Sequence, residues 1–329
     1  MRAAVSLSQN DFATLLSRLV TAGALLASEA GYASCGAAFC ALNTSWNTQG
    51  VPSDPGTGRL DLRYEFVDQN KLRTNTRNLP PAADTGDTLE QRTVNRNLLA
   101  TVDYTLSKDW AVSVALPVVR RTHDHVSDPA NNPTFENWKF TKAGDMRVLG
   151  YRRFAVADDP FVSYGLALGL KLPSGEFRVR NNNGLLAERS LQPGTDSTDL
   201  VWGGYFTRPG FQSDSSWFVQ ALVQTAKRIK DEFRPGNQYS LNTGYRFLFT
   251  DSLTGLLQMN GIFKKRDDGL NAERELSGSR SWFLSPGLNY SLTPNMEVYG
   301  FVQLPVFRQV NGVQLSAERA FVAGVSMKF

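Results

Sequence analysis

Residues 59–66 read Arg59-Leu60-Asp61-Leu62-Arg63-Tyr64-Glu65-Phe66, charged and apolar residues in strict alternation. Successive residues of a strand point to opposite sides, so this stretch forms a ribbon with one charged face and one apolar face. In a soluble sandwich the charged face looks out to water. In a membrane barrel it lines the lumen and the apolar face meets lipid. The strand alone fits both.

The connections decide. Alternation of the same kind predicts about twelve strands, at 58–68, 93–106, 110–120, 143–155, 161–173, 198–207, 216–226, 238–249, 253–264, 280–291, 295–307 and 319–329. Long linkers are expected at 69–92, 121–142, 174–197, 227–237, 265–279 and 308–318. Short ones are expected at 107–109, 156–160, 208–215, 250–252 and 292–294. A long and a short set in alternation is the pattern of a barrel with short periplasmic turns and longer extracellular loops. A sandwich gives no reason for such two-sided asymmetry. Strands of roughly ten residues suit a tilted membrane crossing. The expected fold is therefore all-β, a transmembrane antiparallel up-and-down barrel over 58–329, in the cell outer membrane.

Bulk properties agree. The mean hydropathy of −0.29 looks soluble, but a barrel shows lipid only every second residue, so its average stays polar. Beyond the N-terminus no apolar run reaches the roughly 18 residues of a spanning helix. A net charge of +4, with no basic run carrying interleaved aromatics, gives no case for nucleic acid.

Residues 1–33 read as a secretory signal. An apolar stretch, Leu19 to Ala27, leads to the small-x-small site Gly31-Tyr32-Ala33, although Asp11 and Glu29 are unusual company. Residues 34–57, rich in Gly, Pro, Ser and Thr, then form a periplasmic segment or a plug. Cys35 and Cys40 are the only cysteines, and in an oxidising periplasm they read first as a disulfide. A lipid anchor on Cys35 meets Tyr32 where a lipobox carries leucine, and no further ligand lies beside the pair for a metal.

Aromatics gather near strand ends, at Trp110, Phe154, Phe161, Trp217, Phe249, Trp282 and Phe329, as interfacial girdles do. Pro117, Pro173 and Pro305 close three ascending strands. Proline cannot donate to a ladder, so they mark where regular pairing stops.

Two resemblances follow. The final strand carries Phe321, Val325, Met327 and a terminal Phe329, and resembles the signal by which the barrel-assembly machinery recognises its clients. Further motifs resemble the outer-membrane transporters labelled for the meta pathway of phenol degradation, in a FadL-like and porin-like superfamily. They are Gly169-Leu-Lys-Leu-Pro-Ser-Gly175, Gln192-Pro-Gly-Thr-Asp-Ser-Thr-Asp199 leading into Gly203-Gly204, Ser285-Pro-Gly-Leu-Asn-Tyr290, and Gln303-Leu-Pro-Val-Phe307 with Asn311-Gly-Val-Gln314. The resemblance implies passive uptake of small solutes, with hydrophobic or aromatic compounds as their class. Cys35-Gly-Ala-Ala-Phe-Cys40 lies outside that pattern.

If the register holds, Arg59, Asp61, Arg63, Glu65, Arg96 and Asp103 face the lumen, as do Asp145, Arg147, Asp199, Arg246 and Glu297. Such rings of mixed charge select solutes in a water-filled pore. The alternative is that they pair with one another and fill a closed interior. Loop 174–197 is the candidate to fold inward. His123 and His125 flank Asp124 in the expected loop 121–142, and read as a polar loop with metal ligation as the lesser alternative. His125-Val126-Ser127 also offers a His-x-Ser pair, but without a visible orienting group or oxyanion donors. The expected function is a non-enzymatic, cofactor-free channel whose partners are outer-membrane lipid and a small solute. A barrel that docks a partner and a lipid-acting enzyme are the rivals.

Overall fold

A computed structural model of the chain describes residues 34–35, 54–80, 88–156, 159–210, 214–227 and 231–329. The expected signal, Cys40 and most of the 34–57 segment lie outside the described residues. All the rest belongs to one compact unit.

Among the described residues fourteen strands follow one another, β1 Ser34–Cys35, β2 Gly58–Asn75, β3 Arg77–Asn78, β4 Thr88–Thr105, β5 Trp110–Ser127, β6 Thr134–Ala143 and β7 Arg147–Val156. Then come β8 Asp159–Lys171, β9 Asp199–Pro209, β10 Ser215–Ala226, β11 Gln238–Leu248, β12 Leu253–Lys264, β13 Ser279–Thr293 and β14 Met296–Lys328. Each wall strand pairs antiparallel with its sequence neighbour from β7 to β14. β2–β4, β4–β5 and β5–β7 continue the series, and β14–β2 closes the ring. The result is a closed antiparallel barrel of eleven named strands. Closure gives each of these eleven strands a partner on both sides.

The last strand, β14, is not a straight run. Its first part, Met296–Val310, pairs with β13, and its second part, Val313–Lys328, pairs with β2. The amide of Lys328 donates to the carbonyl of Asn295 at 2.8 Å, so the run doubles back. The reversal sits at Asn311-Gly312, where Gly312 has φ +58, a left-handed conformation that glycine adopts without penalty.

Several expected loops are strand. β2 runs on to Asn75 rather than stopping at 68, β4 starts at Thr88 rather than 93, and β5 extends to Ser127 rather than 120. The expected loop 121–142 holds β6, which pairs with the upper part of β5, while β7 takes over the lower part from Ala115 downward. The expected loop 308–318 is mostly the β14 reversal. The remaining long connections are 172–198, 227–237 and 265–278.

Burial follows alternation. Outward residues such as Leu62, Tyr64, Leu98, Leu166, Leu168, Trp202, Leu257 and Leu288 are exposed. Inward, the described residues form two apolar clusters. One joins Leu72, Val119, Trp138, Phe140 and Leu315 to Val179, Ala187 and Leu191 of the 172–198 connection. The other joins Val67, Phe218, Leu256, Tyr299, Phe301, Ala320 and Val322.

Candidate functional site

The inner face is lined by charge at the strand ends of β2, β4 and β7 to β9. Odd-numbered β2 residues Arg59, Asp61, Arg63 and Glu65 are all buried, and so is Asp103 of β4. Arg59 pairs with Asp103 at 2.9 Å, its register partner on the next strand. Arg63 pairs with Glu65 at 2.7 Å. The Tyr299 hydroxyl donates to Asp61 at 2.9 Å. Arg246 and Glu297 are half-buried, and Asn289 donates to Glu297 at 3.3 Å.

Arg96 departs from that set. Its register partner Phe66 and its neighbour Leu98 belong to the outward series, and its guanidinium lies 5.5 Å from the Phe66 ring centroid. The lumen assignment of Arg96 is therefore corrected: on β4 the inward residues are the odd-numbered Asn95, Asn97 and Asp103.

A second network gathers two of the sequence motifs. Asp145, in the break between β6 and β7, accepts from the backbone amides of Gly175 at 3.1 Å and Thr195 at 2.9 Å. Its carboxylate also holds Lys171 at 2.8 Å. Lys171 reaches Asp199 at 3.3 Å and bonds Thr195, and the Ser197 hydroxyl donates to Asp199 at 2.6 Å. Gln224 bridges Asp199 at 2.7 Å and accepts from Arg147 at 3.0 Å. Space is tight: a Cβ on Gly175 would sit 2.7 Å from the Gly144 carbonyl carbon, and one on Gly194 2.7 Å from Asp145 Oδ1. Glycine at these two positions lets both ends of the 172–198 connection close on Asp145.

Between those ends the connection packs against the inner wall. Arg121 donates to the carbonyls of Ser190 and Leu191, at 3.3 and 2.5 Å, and to Asn95 at 2.7 Å. The Trp138 indole donates to the Leu185 carbonyl at 3.2 Å. Both carboxylate oxygens of Glu188 lie out of solvent. Burial, with the charges of Glu273 and Glu90, holds the Glu188 carboxyl well above the usual carboxylate range.

The histidines are not in a solvated loop. Both lie on the inward face of the β5 extension, above residues 110–120, and His123 is fully buried. Register places Glu90 of β4 and Glu136 of β6 on either side of His125, and Thr93 and Trp138 on either side of His123. Burial pushes both imidazoles below their usual range, His123 farther than His125, whose neighbour Glu136 opposes the shift. Asp124 lies on the other face with Arg92 as register partner, and bonds Asn137.

Ser127 Oγ is 3.3 Å from His125 Nε2, but Glu136 Oε2 is 3.0 Å from the same nitrogen. In a serine triad the acid holds the opposite nitrogen, leaving this one for the hydroxyl. The pair does not have that arrangement.

Sequence reasoning missed Lys171, Gln224, Glu90 and Glu136. The first two could have been found, since Lys171 lies within Gly169–Gly175 and Gln224 is a polar residue on the inward register of β10.

No family model matches the chain, and no curated protein matches it. Among solved structures, an outer membrane channel from Pseudomonas putida F1 superposes with a TM-score of 0.66 at 9% identity, covering 86% of this chain and 98% of that one. A Pseudomonas aeruginosa FadL homologue, at 10% identity, covers 91% and 99% with a TM-score of 0.41. The NanC porin, at 12% identity, covers 82% and 100% with a TM-score of 0.44. The first likeness is one of fold, the closed antiparallel barrel described above.

Proposed function

We propose that the chain is an integral outer-membrane channel for passive passage of small solutes, with its short turns periplasmic and its long connections external. The observation that carries this reading is the inversion of faces. Charged side chains are buried inside the ring, while leucine, tyrosine and tryptophan stand exposed around its outside. An apolar belt of that extent is stable only against lipid. The superposed Pseudomonas putida channel agrees with it. We count twelve wall staves, because β6 with β7 forms one and β14 supplies two, and an even count returns both barrel ends to the same side. In this reading the exposed Phe321, Met327 and Phe329 with Val325 present the assembly signal on the lipid face.

Apolar and ion-paired linings meet in the lumen: Phe218, Leu256, Tyr299 and Phe301 cluster with Val67 of β2, beside the ion pairs of β2 and β4. That mixed lining suits hydrophobic or aromatic solutes bearing a polar group. The 172–198 connection, clamped on Asp145, is the constriction. Near it β8 pairs with β7 only as far as Lys171, and β6 has β5 as its one named strand partner among the described residues. An apolar solute then has a route between β6 and β8 toward lipid.

The test is swelling of liposomes that carry the refolded chain, in small neutral and aromatic solutes. Faster swelling than in empty liposomes supports the channel. A folded barrel that admits none favours the rival in which the interior is filled and the barrel docks a partner.

A further inference from the structure

His123 Nε2 and His125 Nδ1 face each other at 3.1 Å. Glu90 completes a triangle, with Oε2 3.6 Å from His123 Nε2 and Oε1 4.0 Å from His125 Nδ1. Donors about 2.0–2.1 Å from one tetrahedral ion are about 3.3 Å from each other, so the 3.1 Å imidazole edge fits a single cation, and the two Glu90 oxygens stand somewhat farther out on the third side. All three side chains are within 5% of complete burial.

The other nitrogen of each ring is already held. Thr93 Oγ1 lies 2.9 Å from His123 Nδ1, and Glu136 Oε2 lies 3.0 Å from His125 Nε2. A carboxylate accepts only, so His125 carries its proton on Nε2 and turns the Nδ1 lone pair toward His123 and Glu90. Metal-binding histidines are oriented in this way by a carboxylate or hydroxyl on the far nitrogen. Imidazole ligates a cation in its neutral form.

We propose that Glu90, His123 and His125 bind one first-row divalent transition cation, zinc being the best matched to a site of two imidazoles and a carboxylate. The fourth position is left to water. Such an ion ties β4 to β5 at the long-connection end, beside Trp138, whose ring centroid lies 4.9 Å from that of His125. Binding releases no proton from neutral rings and needs no co-reactant. The proposal does not depend on the channel reading.

The test uses the full chain, refolded in detergent without a histidine tag and stripped with chelator, titrated calorimetrically with zinc chloride. The chain has only two histidines, so X-ray absorption on the zinc-loaded wild type reads the site directly. One ion per chain at micromolar affinity or tighter, with two imidazoles in its shell, is expected. His125→Gln and Glu90→Gln should abolish it, Glu136→Gln should weaken it roughly 10–100-fold, and Cys35→Ser with Cys40→Ser should leave it intact. Heat-modifiable gel mobility confirms that each variant folds. No binding by the folded wild type at millimolar zinc, a shell without imidazole, or binding that survives loss of both histidines would overturn the proposal. In each of those cases the 3.1 Å contact is an ordinary imidazole hydrogen bond.

Discussion

Lys171 and Asp145, 26 residues apart in sequence, meet at 2.8 Å with side chains only 7% and 6% exposed. Around them the β6–β7 break and both ends of the 172–198 connection converge. Asp145→Ala removes the acceptor for two backbone amides and takes from the buried Lys171 ammonium the nearer of its two carboxylates. Breaking a buried pair in this way costs about 3–5 kcal/mol. The expected result is lower stability to urea and new protease cleavage within 172–198, while the barrel retains heat-modifiable mobility.

Arg63 and Arg96 lie on opposite faces of the wall. Arg63→Glu reverses a charge in the lumen and should move the zero-current potential in a salt gradient toward cation preference. Arg96→Glu should leave that potential unchanged, because its side chain stacks on Phe66 outside. Equal shifts from both variants would contradict the register.

Leu166 stands 58% exposed in the middle of β8. If lipid covers it, Leu166→Arg should destabilise the barrel in vesicles by about 2–4 kcal/mol. Phe135, 59% exposed on β6 and above the spanning part of β5, should tolerate Phe135→Arg to within about 0.5 kcal/mol. Urea unfolding followed by tryptophan fluorescence measures both.

Glu188 should make the 172–198 connection pH-dependent. Its folded-state carboxyl titrates well above an ordinary one because it is buried near Glu273 and Glu90. The docked arrangement is therefore favoured fully at pH below the ordinary carboxylate range. That contribution is lost as pH rises through the raised value, so protease sensitivity of the connection should increase with pH. Glu188→Gln should flatten the profile. Measured with chelator present, a profile unchanged by that variant would place the titration elsewhere.

The barrel was legible where the alternation puts apolar residues on the outer face, as in Leu60 to Phe66. It was hidden where strands run on beyond that apolar-out alternation. In β6 the outward residues Asn137, Lys139 and Thr141 are polar and the inward ones, Trp138 and Phe140, are apolar, so the stretch reads as loop. Glu90 was hidden for another reason. A β-bulge between Glu90 and Arg92 shifts the register by one, which turns an even-numbered residue inward on a strand whose lumen face is odd. Pairing across strands brings Glu136 beside His125 although 11 residues separate them. The motifs Gly169–Gly175 and Gln192–Asp199 were visible as a resemblance, but that they close on one carboxylate is a property of the folded chain.

Single-channel recording of the refolded chain in a planar lipid bilayer tests the central claim most directly. The account predicts discrete conductance steps in the wild type, and larger or longer openings in Asp145→Ala once the 172–198 connection is released. A correctly folded wild type that stays silent, with Asp145→Ala silent as well, would contradict it.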